Sequence, residues 1–410
     1  MSSPNLPPEL LDHVVDFLQD ATDTLESCCL VSKSWIPGTR KHLLEFVEFY
    51  TEEDFELWKT TFQDPSTSPA CYTKTLFVRW PWATPVAETK ELGDWIRTFS
   101  RVVHLKMYLI DMDTDEPTDS LVPFHGFSPE IRSLRLLDIH SPLPPVFDFI
   151  HSFPLLEDLS VSTPVIPAIN TNDGIDGQPT AVQYLSPPAF TGTLDLYGVD
   201  LIATQLLSLP NSLHFRKLHL TWNNEADIST TALLVESCCS TLESLHVNPG
   251  YLSTSFLPLH ESYKWLTSVG ESFLGPVNLS KATKLKYITL TLRGLNPQWV
   301  ITTLQTTTPS HRDFRQISLD IRQVLVRSRS DQYDLINFRR TMGESARRWW
   351  SELDHVLVQL LESHSIRVRL RVSDGLRGND GAKRVVEGLL PKVTARGVVY
   401  TDRRGDRSIW

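Results

Sequence analysis

The sequence of 410 residues contains none of the short motifs by which most catalytic and metal sites are recognised. Its 13 histidines are scattered, and neither H-E-x-x-H, G-x-G-x-x-G nor a P-loop occurs. Residues 270–275 approach a nucleophile elbow, but the second glycine comes one position late. Residues 111–115 begin like a calcium loop, but Glu116 and Val122 replace the required glycine and the bidentate glutamate. We therefore expect no catalytic, metal or cofactor site. An enzyme with dispersed active-site residues stays an alternative.

Cysteines and long apolar runs are also scarce. The five cysteines are Cys28, Cys29, Cys71, Cys238 and Cys239, an odd number without C-x-x-C spacing. We expect a reducing compartment, in which they act as small buried hydrophobic residues. There is no basic stretch followed by an apolar stretch at the N-terminus, and no run of about 18 apolar residues. The expectation is a soluble cytoplasmic or nuclear protein without a membrane partner.

A surplus of positive charge is absent from the chain as a whole. The formal net charge is −10, which disfavours a general nucleic-acid binder. Residues 365–410 differ, with eleven Lys and Arg against five Asp and Glu, a net of +6. There Arg367, Arg369 and Arg371 alternate with apolar residues, which predicts a half-buried strand with a basic face. A solvated face is the favoured interpretation, and a site for an acidic or phosphorylated partner is the alternative.

What is present beyond residue 70 is a recurring pattern of three apolar residues, spaced as apolar-x-x-apolar-x-apolar. Most neighbouring centres lie 24 to 29 residues apart, and helix-like segments such as 146–153, 230–239 and 298–306 separate many of them. The centres are Leu76, Leu105, Leu134, Leu159, Leu194, Leu218, Leu245, Ile288 and Ile317. The period resembles an irregular leucine-rich repeat, although the repeat's Asn or Cys is absent at most sites. An ordinary α/β domain with parallel strands is the alternative.

The two longer intervals predict insertions at about residues 163–189 and 248–277. The first is rich in Pro, Asn, Gly and Asp, as exposed loops are. The second carries aromatic residues, which either pack on the body or anchor a partner. A helix over residues 345–363, the basic strand over 365–372, a helix over 383–393 and a strand over 398–400 predict a terminal unit that ends the stack.

The first 46 residues predict three short helices. Pro8 suits the first position of a helix, and Leu10, Leu11, Val14, Val15, Phe17 and Leu18 then recur at helical spacing. Thr22 or Asp23 opens a second helix through Leu25, Cys28 and Val31. Ser32 or Ser34 caps a third that carries Trp35, Leu43, Leu44, Phe46 and Val47. Roughly 45 residues cannot bury this much apolar surface alone, so some of it must face a partner or the next domain.

The order of residues in these helices is similar to an F-box, in the stretches Leu-Pro-Pro-Glu-Leu-Leu (6–11), Val-Val-Asp-Phe-Leu (14–18) and Cys-Cys-Leu-Val-Ser-Lys-Ser-Trp (28–35). Residues 6–46 resemble an F-box of fungal type. The resemblance implies docking on a Skp-family adaptor of an SCF-type cullin-RING ubiquitin ligase. The residues that would make or support that contact are Leu6, Pro7, Glu9, Leu10, Val14, Leu18, Leu25, Cys28, Val31 and Trp35.

Taken together, the expected fold is of mixed α+β and α/β class. A three-helix F-box module (1–50) precedes an irregular leucine-rich-repeat-like α/β solenoid (51–320) and a C-terminal capping α/β unit with a basic face (321–410). The resemblance implies a non-catalytic substrate-recognition subunit of an E3 ubiquitin ligase, acting on an unknown protein substrate. The alternative is a leucine-rich-repeat-like interaction scaffold outside the ubiquitin system, whose N-terminal helices serve as a cap.

Overall fold

The fold consists of short helices and parallel strands in two compact units, seen in a computed structural model. One unit comprises Met1–Pro164 with Val182–Ala189, and the other Val165–Ala181 with Phe190–Trp410. The predicted boundaries at residues 50/51 and 320/321 stay predictions. The structure describes residues 7–80, 89–109, 119–137, 143–162, 188, 190–198, 200–209, 213–222, 226–249, 277–293, 297–322, 344–372, 387–397 and 399–400.

The chain begins with three helices: α1 (Pro8–Phe17), α2 (Thr22–Val31) and α3 (Ile36–Leu43). Pro8 occupies the first turn of α1 as predicted, where the missing N–H costs nothing. The predicted start of α2 at Thr22 is confirmed, but its N-cap is Ala21, which makes no side-chain cap. A 3-10 turn over Lys33–Trp35 precedes α3, and the Ser32 hydroxyl caps it by accepting the Ser34 N–H at 3.4 Å.

The predicted extent of the third helix is wrong, since α3 ends at Leu43 and Phe46–Phe49 form strand β1. Val47 and Phe49 are buried there while the residues between and before them are not. Strand β1 pairs in parallel with the next strand, with Val47 opposite Leu76. This long-range pairing decides the conformation of Phe46 and Val47, which helical spacing within residues 32–47 cannot reveal.

The first unit continues with parallel strands β2 (Thr75–Trp80), β3 (His104–Leu109), β4 (Ser133–Leu137) and β5 (Asp158–Ser162). Its remaining helices are α4 (Glu52–Phe62), α5 (Thr89–Ile96) and α6 (Leu143–His151), with 3-10 turns at Pro65–Thr67, Pro69–Tyr72 and Asp119–Phe124. A capping box starts α4, because Thr51 and Asp54 each accept the other's backbone N–H.

The second unit follows the same order of strand and helix. Its strands are β6 (Thr193–Tyr197), β7 (Lys217–Trp222), β8 (Ser244–Pro249), β9 (Tyr287–Arg293), β10 (Gln316–Arg322), β11 (Arg367–Val372) and β12 (Val399–Tyr400). Its helices are α7 (Asp200–Leu207), α8 (Ala226–Cys238), α9 (Gln298–Gln305), α10 (Glu344–His364) and α11 (Pro391–Thr394).

The nine predicted repeat centres all lie on strands and are buried. In the first unit, Leu76, Leu105, Leu134 and Leu159 are register partners on neighbouring strands. In the second, Leu194, Leu218, Leu245, Ile288 and Ile317 are aligned in the same way. The helix-like segments predicted within 146–153, 230–239 and 298–306 correspond to α6, α8 and α9. Each unit is therefore a stack of strand–helix turns of the leucine-rich-repeat type.

A backbone ladder at the start of the strands holds successive turns in register. The carbonyl oxygen of the residue directly before a strand accepts two consecutive N–H groups at the start of the next strand. Lys74 O accepts those of Val103 and His104 at 2.8 and 3.0 Å, and Val103 O accepts those of Arg132 and Ser133 at 2.9 and 3.1 Å. In the second unit Gly192, Arg216, Glu243 and Lys286 accept pairs of N–H groups in the same manner.

The C-terminal elements agree with the sequence prediction for α10, β11 and β12. The predicted helix over 383–393 is only partly confirmed, because residues 387–389 are helical, Leu390 is not, and α11 begins at Pro391. Helix α10 extends the predicted 345–363 by one residue at each end, and β11 lies within the predicted strand 365–372. Asp354 of α10 is buried and caps α11, its carboxylate accepting the N–H groups of Lys392 and Val393 at 3.0 and 2.9 Å. Residues 383–386 of the predicted last helix lie outside the described residues.

All five cysteines are free thiols. The prediction that they are small buried hydrophobic residues holds for Cys238, where burial raises the pKa of the thiol to about 12. It is wrong for Cys71, which is exposed in the 3-10 turn before β2, and Cys28, Cys29 and Cys239 are half-buried. Among the described helices, none is long and apolar enough to cross a membrane.

Several predicted features lie outside the described residues. They are Leu6, nearly all of the insertion at 163–189, residues 250–276 of the second insertion, and the segments 111–115 and 270–275.

The stacked leucines predict a steep dependence of stability on the buried strand positions. Leu134→Ala removes a fully buried side chain between Leu105 and Leu159 and is expected to lower the free energy of unfolding by about 2–5 kcal/mol. Leu155→Ala, at an exposed leucine before β5, is the matched control and should cost well under half of that. Denaturant unfolding measures both. Equal losses would contradict the assignment of Leu134 to the core.

Burial of His151 at the end of α6 predicts acid sensitivity. Desolvation lowers the pKa of this imidazole to about 4, partly opposed by Asp148. Between about pH 6.5 and 4 the unfolded chain therefore binds a proton that the folded chain does not, so stability falls as the pH falls. His151→Gln should reduce the loss of stability between pH 7 and 5 by the order of 1 kcal/mol, after allowance for solvent screening. His13→Gln, at an exposed histidine of α1, should leave that loss unchanged. An identical loss in both variants would refute this role of His151.

Candidate interaction surfaces

Helix α1 separates its apolar residues into a buried and an exposed face. Leu11 and Val15, four positions apart, are buried. Leu10, Val14 and Phe17 recur at the i, i+4 and i+7 positions of the opposite edge and are 51%, 43% and 90% exposed. Because residues at this spacing share one helix face, the three side chains form an apolar stripe open to solvent.

Helix α2 shows the same division near its end. Leu25 is buried, whereas Leu30 and Val31 in the last turn are 88% and 71% exposed. We call Leu10, Val14, Phe17, Leu30 and Val31 the exposed apolar set. Single exposed leucines are ordinary on protein surfaces, but five large apolar side chains within 22 residues are a concentration that folding of these helices does not use.

The helices are joined by buried polar contacts at the start of α3. Thr39 is fully buried, and its hydroxyl donates to the carbonyl of Trp35 at 2.9 Å and lies 2.8 Å from the Cys29 sulfur. Trp35 itself is half-buried in the 3-10 turn. The Thr39 hydroxyl thus connects α2, the turn and α3, which holds Trp35 in place.

An ion pair connects α1 to the end of α3. The Asp16 carboxylate lies 2.7 Å from His42 Nε2 and 3.3 Å from Lys41 Nζ. The hydrogen bonds from His42 and then Lys41 hold the pKa of Asp16 below its ordinary value. Asp16 lies on another edge of α1 than Leu10 and Val14. The ion pair therefore fixes α1 with its exposed apolar stripe pointing away from α3.

The predicted adaptor residues fall into three environments. Pro7, Glu9, Leu10, Val14 and Val31 are exposed, Leu18, Cys28 and Trp35 are half-buried, and Leu25 is buried. Leu25 can therefore support a docking surface but not form it. Their binding role stays a prediction.

The sequence-based selection omitted Phe17 and Leu30, the two most exposed large apolar side chains of these helices. Both were visible as apolar residues in the motif stretches. Only the packing of α1 and α2 distinguishes their exposed positions from the neighbouring buried ones.

A second surface lies on the outward face of β11. Ile366, Val368 and Leu370 are buried, while Arg367 is exposed and Arg369 and Arg371 are half-buried. The predicted basic strand face is thereby confirmed. The neighbouring positions on β10 are Gln316, Ser318 and Asp320, which pair with the three arginines in that order.

Side chains that can ligate a metal ion are dispersed over the described part of the chain. No group of three or more His, Cys, Asp or Glu side chains there is placed to hold a metal ion. The nearest arrangement is His219 on β7 beside His246 on β8, with ring centroids 5.5 Å apart. Burial lowers the pKa of His219, and the charge of Asp195 opposes this shift.

No protein-family model matches the chain, and no curated protein matches it significantly in sequence. Among solved structures, the leucine-rich repeat-containing protein LegL7 from Legionella pneumophila is similar to it, at 14% sequence identity and a TM-score of 0.40. The similarity covers 86% of this chain and 91% of that protein. A likeness of this degree does not transfer a partner or an activity.

The buried and exposed faces of α1 predict different effects of a valine-to-alanine substitution on stability. Val15→Ala removes buried methyl groups and should lower the free energy of unfolding by about 1–3 kcal/mol. Val14→Ala, one position earlier, should leave stability unchanged within about 0.5 kcal/mol, because its side chain is 43% exposed and alanine favours the helix. Thermal unfolding followed by circular dichroism measures both. A larger loss for Val14→Ala would exclude the exposed orientation of this stripe.

Proposed function

We propose that this protein is a non-catalytic substrate-recognition subunit of an SCF-type cullin-RING ubiquitin ligase. In this proposal the N-terminal helices dock on a Skp-family adaptor, and the repeat units bind a protein substrate. The observation that carries it is the exposed apolar set on α1 and α2, within the stretches that resemble an F-box.

Exposure of these side chains has a physical consequence for association. Covering Phe17 and Leu30 removes nearly their whole apolar surface from water, and each fully buried side chain of this size contributes about 1.5–3 kcal/mol. The buried residues Leu11, Val15 and Leu25 hold the helices in one arrangement, so little ordering entropy is lost on docking. An apolar surface on a preorganised support is what adaptor binding requires.

The mechanism is proximity rather than chemistry by this chain. A substrate held on the repeat units has its lysines at high effective concentration near the ubiquitin thioester carried by another subunit. The strand faces suit recognition because their side chains stand outward on a rigid parallel sheet. The alternative is an interaction scaffold outside the ubiquitin system, in which the helices only cover the first turn.

The experiment uses the full chain and a purified Skp-family adaptor from the same source. Phe17→Gln combined with Leu30→Gln removes two exposed apolar side chains at little cost to folding. Each buried apolar anchor in an interface contributes about 1–3 kcal/mol, so loss of both anchors should weaken binding by about 30-fold or more. Leu57→Gln is the matched control, since Leu57 is 66% exposed on α4, outside the F-box-like stretches. Calorimetric titration measures all three proteins.

Each outcome discriminates between the proposals. Tight binding by the wild type and the Leu57 variant, lost in the double variant with unchanged thermal unfolding, supports adaptor docking. Absence of binding by the soluble wild type supports the scaffold. Equal weakening by Leu57→Gln would mean that the exposed apolar set is not the docking surface.

A further inference from the structure

The outward face of β1 to β4 in the first unit combines aromatic rings with three cations. We call Tyr50, Phe77, Arg79, Tyr108, Lys106 and Arg135 the aromatic–cationic patch. Arg79 and Arg135 are exposed, Tyr50 is 48% exposed, and Lys106 and Tyr108 are half-buried. All but Phe77 therefore present surface to solvent, and Phe77 forms the floor.

The rings and cations of the patch are held against one another. The Tyr50 and Phe77 rings meet edge to face with centroids 5.2 Å apart. Lys106 Nζ lies 4.6 Å from the centroid of Phe77, and Arg79 Cζ lies 5.6 Å from that of Tyr108. These cation–π contacts position the charged groups without neutralising them.

The parallel register places two of the cations side by side. Lys106 on β3 is the direct partner of Arg135 on β4. Neighbouring strands lie about 4.8 Å apart, so the two like charges face outward next to each other, which opposes sheet formation. Within the described residues, no carboxylate pairs with Lys106, Arg135 or Arg79.

Other cations near these strands do have acidic partners. At the start of β2, Lys74 Nζ lies 2.7 Å from the Glu45 carboxylate, and at the start of β5 Arg132 is paired with Glu157. The acid on the patch's own face is Glu48, whose carboxylate accepts the Tyr50 hydroxyl at 2.7 Å. Lys74 and Arg132 are thus paired with acids, whereas no carboxylate in the described part of the chain pairs with a cation of the patch.

We propose that the aromatic–cationic patch binds an acidic segment of a partner protein. Carboxylates of such a segment would lie between Lys106 and Arg135 and relieve their repulsion, while Arg79 offers bidentate hydrogen bonds. The rings of Tyr50 and Tyr108 supply aromatic contact area of the kind that protein interfaces favour. A nucleic acid fits less well, because the chain as a whole carries a net charge of −10.

This inference goes beyond adaptor docking and does not depend on it. The exposed apolar set lies on α1 and α2, and the patch lies on β2 to β4 and the residue after β1. If one surface is found not to bind its proposed partner, the other can still be tested in the same full-length protein.

The test uses two displayed libraries of 12-residue peptides that are otherwise random, one with Glu at four alternate positions and the other with Gln. The wild-type chain should enrich the Glu library at least tenfold over the Gln library. Arg135→Glu should abolish this enrichment. Arg97→Glu is the matched control, because Arg97 is exposed after α5 and pairs with Asp94, and it should retain the enrichment within twofold. A labelled 20-residue oligothymidylate is the competing probe.

A second variant separates binding from folding. Lys106→Gln with Arg135→Gln removes the repulsion, so its unfolding midpoint should be unchanged or raised while Glu-library enrichment is lost. A lowered midpoint would assign the pair a structural role and overturn the proposal. Equal enrichment of the Glu and Gln libraries would also overturn the proposal. So would unchanged Glu-library enrichment by the Arg135→Glu variant. Preferential capture of the oligothymidylate, lost in Arg135→Glu, would assign the patch to nucleic acid instead.

Discussion

Parallel register between successive turns is the constraint on which the rest of each unit depends. One carbonyl before each strand accepts two N–H groups of the next turn, and this contact recurs from Glu45 through Arg132 and again from Gly192 through Lys286. Because buried backbone groups must be paired, the ladder leaves each new strand one position in which to start. Equivalent side chains are thereby stacked, leucine on leucine, across neighbouring strands.

Register survives large differences in the length of the connections. Leu245 and Ile288 are register partners although 43 positions separate them, just as Leu134 and Leu159 are at a separation of 25. The free energy of closing a flexible loop grows only slowly with its length, so an insertion outside the sheet does little to the pairing. Sequence can therefore vary widely between the strands, while the apolar positions of the strands stay aligned.

The same stacking decides what lies on the outward face. Each outward-facing polar side chain lies next to the side chain at the corresponding position of the neighbouring strand, whether the two charges are opposite or alike. Acid and base alternate in one such row, where Glu243 lies between Arg216 and Lys286. Both cations help to keep the pKa of Glu243 low, with the Lys286 hydrogen bond as the largest cause. At Lys106 and Arg135 the charges are alike instead. A like-charged pair on a folded sheet is a local exception of the kind that proteins tolerate at functional sites, which agrees with the proposed binding role of the patch.

Local patterns predicted the repeat positions well because each strand carries its own spacing of apolar residues. The strand β1 escaped prediction because Phe46 and Val47 follow a helix directly, and only Leu76 on β2 identifies them as a strand. The partner residues were predicted from a resemblance, which cannot separate exposed Leu10 from buried Leu25. Phe17 and Leu30 were missed for the same reason. Exposure is a property of the packed helices, and it has no local signature within an apolar run.

The short connection between the helices and the first strand bears on the proposed mechanism. Helix α3 ends at Leu43 and β1 begins at Phe46, and Glu45 between them accepts two N–H groups from Lys74 and Thr75. Its carboxylate also binds Lys74 Nζ at 2.7 Å. A docking surface joined in this way cannot swing freely relative to the first turns of the sheet. Since effective concentration depends on the stiffness and length of the linker, a rigid connection restricts which lysines of a bound protein come within reach. If the chain acts by proximity as proposed, the geometry of this junction would therefore help to determine which lysines of the bound protein are modified.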